Sequence, residues 1–141
     1  MANLDDTLKQ VPLFSTLSQR QLRGLRKDFR ERTFRPGTAI LLEGKMGGVD
    51  FFVLVEGEAS VTIGGKEIGR LRPGDHFGEL GLITGRARNA TVTAVEPVRC
   101  LAMAGWNFRK FVNSNPDVAW KLLQHIAGLL QADQGAPEGR Q

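Results

Sequence analysis

Cysteine occurs once in these 141 residues, at Cys100. No intramolecular disulfide and no thiolate metal cluster can therefore form. Histidine is almost as scarce. His76 and His125 stand far apart with no His-x-His pair. The clustered ligands that a metal-dependent jelly-roll enzyme or a phosphodiesterase needs are missing, so no metal and no catalytic residue is assigned. Both histidines read as structural. No apolar run approaches the roughly 20 residues that span a bilayer, and no membrane segment is expected. The opening MANLDDTLKQ is polar and acidic, unlike a secretory signal. A lone thiol and no export signal point to a reducing, cytoplasmic compartment.

What is present is an ordinary globular composition. Hydrophobic residues make up 41% and charged residues 24% of a 15.5 kDa chain, enough for one core and one domain. The formal charge of +4 and a pI near 9.7 suggest affinity for anions. Much of the positive charge is concentrated in Arg20, Arg23, Arg26, Lys27, Arg30, Arg32 and Arg35. Nucleic acid is one reading of that cluster. A solvated helix face followed by a strand edge is the preferred one.

Ser18 is placed to cap a helix running to about Phe29, with Leu22, Leu25 and Phe29 on its buried face. Val11 to Phe14 reads as an anchoring turn before it. Short apolar runs then recur at 39–42, 51–55, 59–63, 68–71, 90–95 and 98–103. Turn residues such as Pro36-Gly37, Gly64-Gly65 and Pro73-Gly74 separate them. That alternation predicts a sandwich or barrel of antiparallel strands. Helical spacing returns after Met103. Trp106, Phe108, Phe111 and Val112 form one helix, and these aromatics read as core. Pro116 opens a second helix, on which Leu122, Ile126, Leu129 and Asp133 share a face. Cys100 reads as an inert packed residue, and Arg86 and Arg99 as exposed.

One segment departs from the strand–turn rhythm: FGELGLITGRARNATV, residues 77–92. A one-turn helix over 79–82, bounded by Gly78 and Gly85, fits it. Gly78 permits close backbone approach to a ligand. Glu79 is an acceptor-only carboxylate suited to a hydroxyl. Arg88 can pair bidentately with a phosphate. One acid, one base and a helix start describe a sugar-phosphate site.

These residues resemble the phosphate-binding cassette of the cyclic nucleotide-binding domain family. That family's pattern is roughly Phe-Gly-Glu-Leu-Ala-Leu, a short loop, then Pro-Arg-Ala-Ala-Thr-Val. Leu41-Leu42-Glu43-Gly44, Phe51 to Gly57, Arg72-Pro73-Gly74-Asp75 and Asn115-Pro116-Asp117 extend the likeness, which runs over roughly residues 13–131. Two departures stand out: Ala87 replaces the usual Pro before the Arg, and Asn89 the usual small residue after it.

The resemblance implies a mainly β fold with flanking helices. Its centre is an antiparallel jelly-roll β-barrel, with an N-terminal helix, a short cassette helix and two C-terminal helices. One domain would cover residues 1–134: a helical segment about 4–30, the β-roll about 32–103 and C-terminal helices about 105–134. Residues 135–141 would be a disordered tail. It further implies that Glu79 accepts the ribose 2′-OH and Arg88 holds the cyclic phosphate. Backbone groups of Gly78, Leu80, Asn89 and Ala90 would line the sugar-phosphate. Leu71 and Val61 would flank the base, Leu122, Ile126 and Leu129 would cap it, and Asn89 or Asp133 could read its edge. Asn89 reads equally as a turn residue, and Asp133 as a solvated terminal acid.

The function so implied is a stand-alone sensor, not an enzyme. It would take cAMP or cGMP as ligand, with cAMP preferred, need no cofactor, and signal through its last helices. A protein effector is expected but cannot be named. A homodimer through the C-terminal helix is possible. Only 135–141 follow the last helix, too few for the DNA-binding domain of a catabolite activator, so the chain is either self-contained or part of a longer regulator. A degenerate cassette serving as a protein-interaction module is the other alternative; the presence of both Glu79 and Arg88 argues against it.

Overall fold

A computed structural model describes residues 4–44, 50–85 and 89–134, with side chains to Gln131 in the last helix. The expected tail at 135–141 lies outside the described residues. Three short helical pieces come first: α1 (Leu4–Gln10), a 3-10 turn (Pro12–Phe14) and α2 (Gln19–Lys27). Ser18 caps α2 in a reciprocal box with Gln21. Its Oγ accepts from the Gln21 N–H at 3.1 Å, and its own N–H donates to Gln21 Oε1 at 2.8 Å. The helix stops at Lys27, and Phe29 already belongs to a strand.

Eight strands follow: β1 (Phe29–Phe34), β2 (Ala39–Leu41), β3 (Asp50–Glu56), β4 (Ala59–Ile63), β5 (Lys66–Leu71), β6 (His76–Phe77), β7 (Thr91–Ala94) and β8 (Val98–Ala104). Between β6 and β7 lies α3 (Glu79–Thr84), and the chain ends in α4 (Gly105–Ser114) and α5 (Pro116–Gln134). The strands form two four-stranded sheets, ordered β1-β8-β3-β6 and β2-β7-β4-β5, with antiparallel pairing throughout. The architecture is the jelly-roll arrangement expected, except that the two sheets face each other without closing into a continuous barrel.

The period of two sorts residues between two cores. On β3, Phe51, Val53 and Val55 face the helices, while Phe52 and Leu54 face the second sheet. On β8, Leu101 and Met103 go to the helical side; Val98, Cys100 and Ala102 go between the sheets. Both strands are therefore covered on both faces, which explains the apolar runs Phe51–Val55 and Cys100–Ala104. In the helical core the Phe51 ring stacks on Phe108 at 4.4 Å between centroids, and Phe14 meets Phe51 and Phe111 edge-on. Burying each such side chain contributes roughly 1.5–3 kcal/mol.

Two expectations are corrected at the surface. Trp106 is 71% exposed, because the first turn of α4 projects beyond the core that Phe108 enters. Arg99 is not free. It spans from β8 to both neighbouring strands, with Nη2 2.8 Å from Glu31 Oε1 and Nη1 2.6 Å from Glu56 Oε1. The arginine cluster is exposed as read, with Arg26 paired to Asp5 and Arg32 to Asp50. Among the described residues, no helix is long and apolar enough to cross a membrane.

The join between α4 and α5 is held locally. Asn115 Nδ2 donates to the Phe111 carbonyl at 2.8 Å, and Gln21 Nε2 donates to Asn115 Oδ1 at 3.2 Å. Pro116 then starts α5, where its missing N–H costs nothing. Val118 and Leu122 anchor the first turns of α5 in the helical core, whereas Leu123, Leu129 and Leu130 stay largely exposed.

Candidate functional site

A cavity of about 740 Å³ lies between the second sheet, the α3 segment and α5. That is within the range of small-molecule sites, roughly 300–1,000 Å³. Leu41, Val61, Ile68, Leu71 and Val92 give it an apolar wall from β2, β4, β5 and β7. The opposite side is polar and built by the turn, β6 and α3 together. Arg72, Pro73, Gly74 and Asp75 make a tight turn. There the Arg72 N–H donates to Asp75 Oδ2 at 2.8 Å and the Asp75 N–H donates back to the Arg72 carbonyl at 2.9 Å. The turn is pinned to β3 through Leu54, which exchanges hydrogen bonds with Gly74 and Asp75. From there His76 and Phe77 pair with β3, and the chain enters α3 at Gly78.

Gly78 has φ +97°, a left-handed conformation that a side chain resists. That geometry turns the chain so that Glu79 points inward. Glu79 is 5% exposed, one of two buried polar residues among those described, and it lines the cavity. Glycine closes α3 as well: the Gly85 N–H donates to the Gly81 carbonyl at 2.9 Å. At six residues the helix is too short for a sizeable macrodipole. What it brings to the cavity is Gly78, Leu80 and Gly81 beside the carboxylate.

Of the residues singled out in the sequence, Gly78, Glu79, Leu80, Asn89, Ala90, Val61 and Leu71 all come to this one cavity. Arg88 lies outside the described residues, as does the side chain of Asp133. Leu122 and Ile126 do not reach the cavity; they pack against the helical core. Leu129 of the expected face does reach the cavity, but the helix is rotated so that Lys121, Gln124 and His125 line it in place of Leu122 and Ile126. Anchoring by Val118 and Leu122 sets that rotation.

The two histidines are the residues that sequence reasoning missed. His76 Nδ1 sits 2.8 Å from Glu79 Oε1, and the His76 and His125 rings are 4.8 Å apart between centroids. Burial lowers the pKa of His125 below its ordinary value; His76 nearby lowers it further and Glu79 opposes both. The i, i+3 spacing of His76 and Glu79 was visible, but only the packing of α5 supplies the third partner.

Cys100, between the sheets, is removed from this chemistry. Burial pushes its thiol up to about 12, countered weakly by Arg32.

Comparison with known proteins agrees with this geometry. The family model described as cyclic nucleotide-binding domain matches residues 31–115. The chain belongs to the cyclic nucleotide-binding domain family. It is 38% identical over 96 residues to a cGMP-dependent protein kinase of Toxoplasma gondii, covering 68% of this chain and 10% of that one. It is 36% identical over 111 residues to the cAMP-dependent protein kinase regulatory subunit of Yarrowia lipolytica, covering 77% of this chain and 29% of that one. The chain thus spans a third or less of these curated relatives. Among solved structures it resembles the regulatory domain of Toxoplasma gondii PKA, co-crystallised with cAMP. The TM-score is 0.77 at 25% identity, over 88% of this chain and 48% of that one. The matched stretch holds β2 to β8, most of β1, α3 and the sheet and α3 sides of the cavity, while the α5 side lies beyond it.

Proposed function

We propose that this chain is a sensor that binds cAMP, with cGMP as the alternative, in the cavity between the second sheet, α3 and α5, and catalyses no reaction. The observation that carries this reading is Glu79: a buried carboxylate on the cavity wall, set there by a left-handed Gly78, within the stretch that matches the family. Glu79 accepts the ribose 2′-OH, and Arg88 neutralises the cyclic phosphate. Backbone groups of Gly78, Leu80, Asn89 and Ala90 surround the sugar-phosphate, and Val61 and Leu71 pack on the base. Asn89 or Asp133 reads the base edge.

The signal passes through α5. Its first turns are locked by Val118, Leu122 and the Asn115 junction, while Leu129, further along, lines the cavity. Ligand binding selects one position of that distal half, a population shift rather than a new fold. An unidentified protein effector reads the result. Trp120, Leu123 and Leu130, each more than half exposed along one side of α5, support a homodimer through this helix. The buried single cysteine supports a reducing, cytoplasmic setting.

Calorimetric titration with cAMP, cGMP and a cyclic dinucleotide tests the reading. Saturable 1:1 binding of a cyclic mononucleotide that is lost in Arg88→Ala supports it. No binding by a folded chain sinks it. The affinity ratio of cAMP to cGMP in the wild type, Asn89→Ala and Asp133→Ala identifies the base-reading residue.

A further inference from the structure

Among the described residues, one set of metal-ligating side chains converges. One ligand atom from each of His76, Glu79 and His125 lies within 4.8 Å of the other two. The three come from three different elements: β6, α3 and α5. Two are held by the fold. His76 packs against the Phe51 ring at 5.6 Å, and Glu79 is buried. His125 is exposed and free to adjust.

We infer that His76, Glu79 and His125 form a binding site for a divalent ion of the zinc class, and that the bound ion clamps α5 onto the α3 segment and opposes nucleotide binding. Two imidazoles and one carboxylate are a donor set that zinc accepts, with water completing the shell. His76 Nδ1 and Glu79 Oε1, now 2.8 Å apart in a hydrogen bond, need to part by only about 0.5 Å to take neighbouring positions around one ion. In the metal-free protein the His76 Nδ1–H donates to Glu79; metal binding replaces that hydrogen bond, with the imidazole proton moving to Nε2 so that the Nδ1 lone pair ligates. Ligand distances of about 2.0–2.2 Å place tetrahedral ligands about 3.3 Å apart. The widest present separation must therefore close by about 1.5 Å, within reach of rotation about the exposed His125 side chain.

The regulatory half of this inference rests on the nucleotide reading above. All three ligands line the nucleotide cavity, and Glu79 is the residue assigned to the ribose. An ion there occupies that carboxylate and pins α5. Linkage makes the effect reciprocal: zinc lowers nucleotide affinity by the factor by which nucleotide lowers zinc affinity.

The test uses the untagged full chain, freed of metal by a chelator. Zn²⁺ is titrated against a chromophoric chelator, and Co²⁺ substitution reports coordination by its visible absorption. One equivalent of Zn²⁺ is expected. His125→Ala, His76→Ala and Glu79→Gln should each weaken it by more than about 10–100-fold, the loss typical of removing an outer-shell partner. Arg88→Ala should keep the metal while losing cAMP. One equivalent of Zn²⁺ should weaken cAMP binding at least about tenfold, and that dependence should vanish in His125→Ala. Zinc binding no weaker in His125→Ala than in the wild type overturns the site. Metal binding that leaves cAMP affinity unchanged overturns the antagonism. Metal binding in a chain that takes no nucleotide refutes the nucleotide reading, and with it the antagonism, while confirming the site.

Discussion

The Nδ1 of His76 lies 2.8 Å from Oε1 of Glu79, both side chains only 7% exposed, at the point where β6 turns into α3. An imidazole N–H donating here fixes the orientation of a carboxylate that lines the cavity wall, and occupies one of its two oxygens. The other oxygen is then the acceptor for a ribose hydroxyl. This sets how Glu79 should respond to change.

Glu79→Ala is expected to weaken cyclic nucleotide binding by roughly 1.5–3 kcal/mol, the worth of a hydrogen bond to a charged group. A 2′-deoxy nucleotide should bind the wild type comparably poorly, and lose little more in Glu79→Ala. Affinities of the two ligands for the two proteins close a double-mutant cycle. Additive losses would mean that Glu79 does not touch the ribose.

Arg88→Ala should cost binding more, on the order of 2–5 kcal/mol, because it strips a charge-assisted partner from a desolvated anion. Folding should be nearly untouched, so the thermal midpoint without ligand serves as the control. An Arg88→Ala protein that melts like the wild type and binds cAMP equally well would remove Arg88 from the site.

How much of this was legible in the chain depended on how each signal is encoded. The apolar runs of β3 and β8 were plain because both faces of those strands are buried. The cassette helix was plain because its bounding glycines, Gly78 and Gly85, both adopt positive φ. β1 was hidden behind Arg30, Glu31, Arg32 and Thr33. It pairs with β8 alone at a sheet edge, and only Phe29 is fully buried, so it carries almost no alternation. β6 is two residues long and has no pattern to read. The cavity face of α5 was misjudged by a fraction of a turn. Helical spacing groups residues into faces, but the anchoring of Val118 and Leu122 decides which face turns where. The meeting of His76 with His125 is a tertiary contact, for which the sequence carries no local sign.

Cys100 should be inert while the protein is folded. Its thiol is pushed up to about 12, so almost none is thiolate near neutrality, and the side chain is fully buried. A thiol reagent at pH 8 should label the native protein only at the rate of unfolding, and label it fully in denaturant. The unfolded thiol ionises near its ordinary value of 9.0 and the folded one near 12. Stability from this group is therefore complete below 9 and is lost as pH climbs between the two values. Chemical denaturation across that window should show the loss in the wild type and not in Cys100→Ala. Fast native labelling at pH 8 would contradict the burial.

Gly57 offers the sharpest test of the sheet geometry. It joins β3 to β4 with φ +92°, and a Cβ built there runs into the backbone carbonyl of Pro97. A backbone oxygen cannot rotate aside as a side chain can. This one is also held close, because Val95 donates to the Glu58 carbonyl at 2.8 Å across the same junction. Gly57→Ala therefore meets two costs: a left-handed residue with a Cβ, about 1–2 kcal/mol, and a forced backbone shift, about 1–3 kcal/mol. Together they predict a destabilisation of about 2–5 kcal/mol. Gly64 is the control, since it also has positive φ (+58°) but open space where its Cβ would go. Gly64→Ala should incur only the first cost. Urea denaturation of both variants compares them directly. If Gly57→Ala is no less stable than Gly64→Ala, the close approach of the β3–β4 junction to Pro97 is wrong.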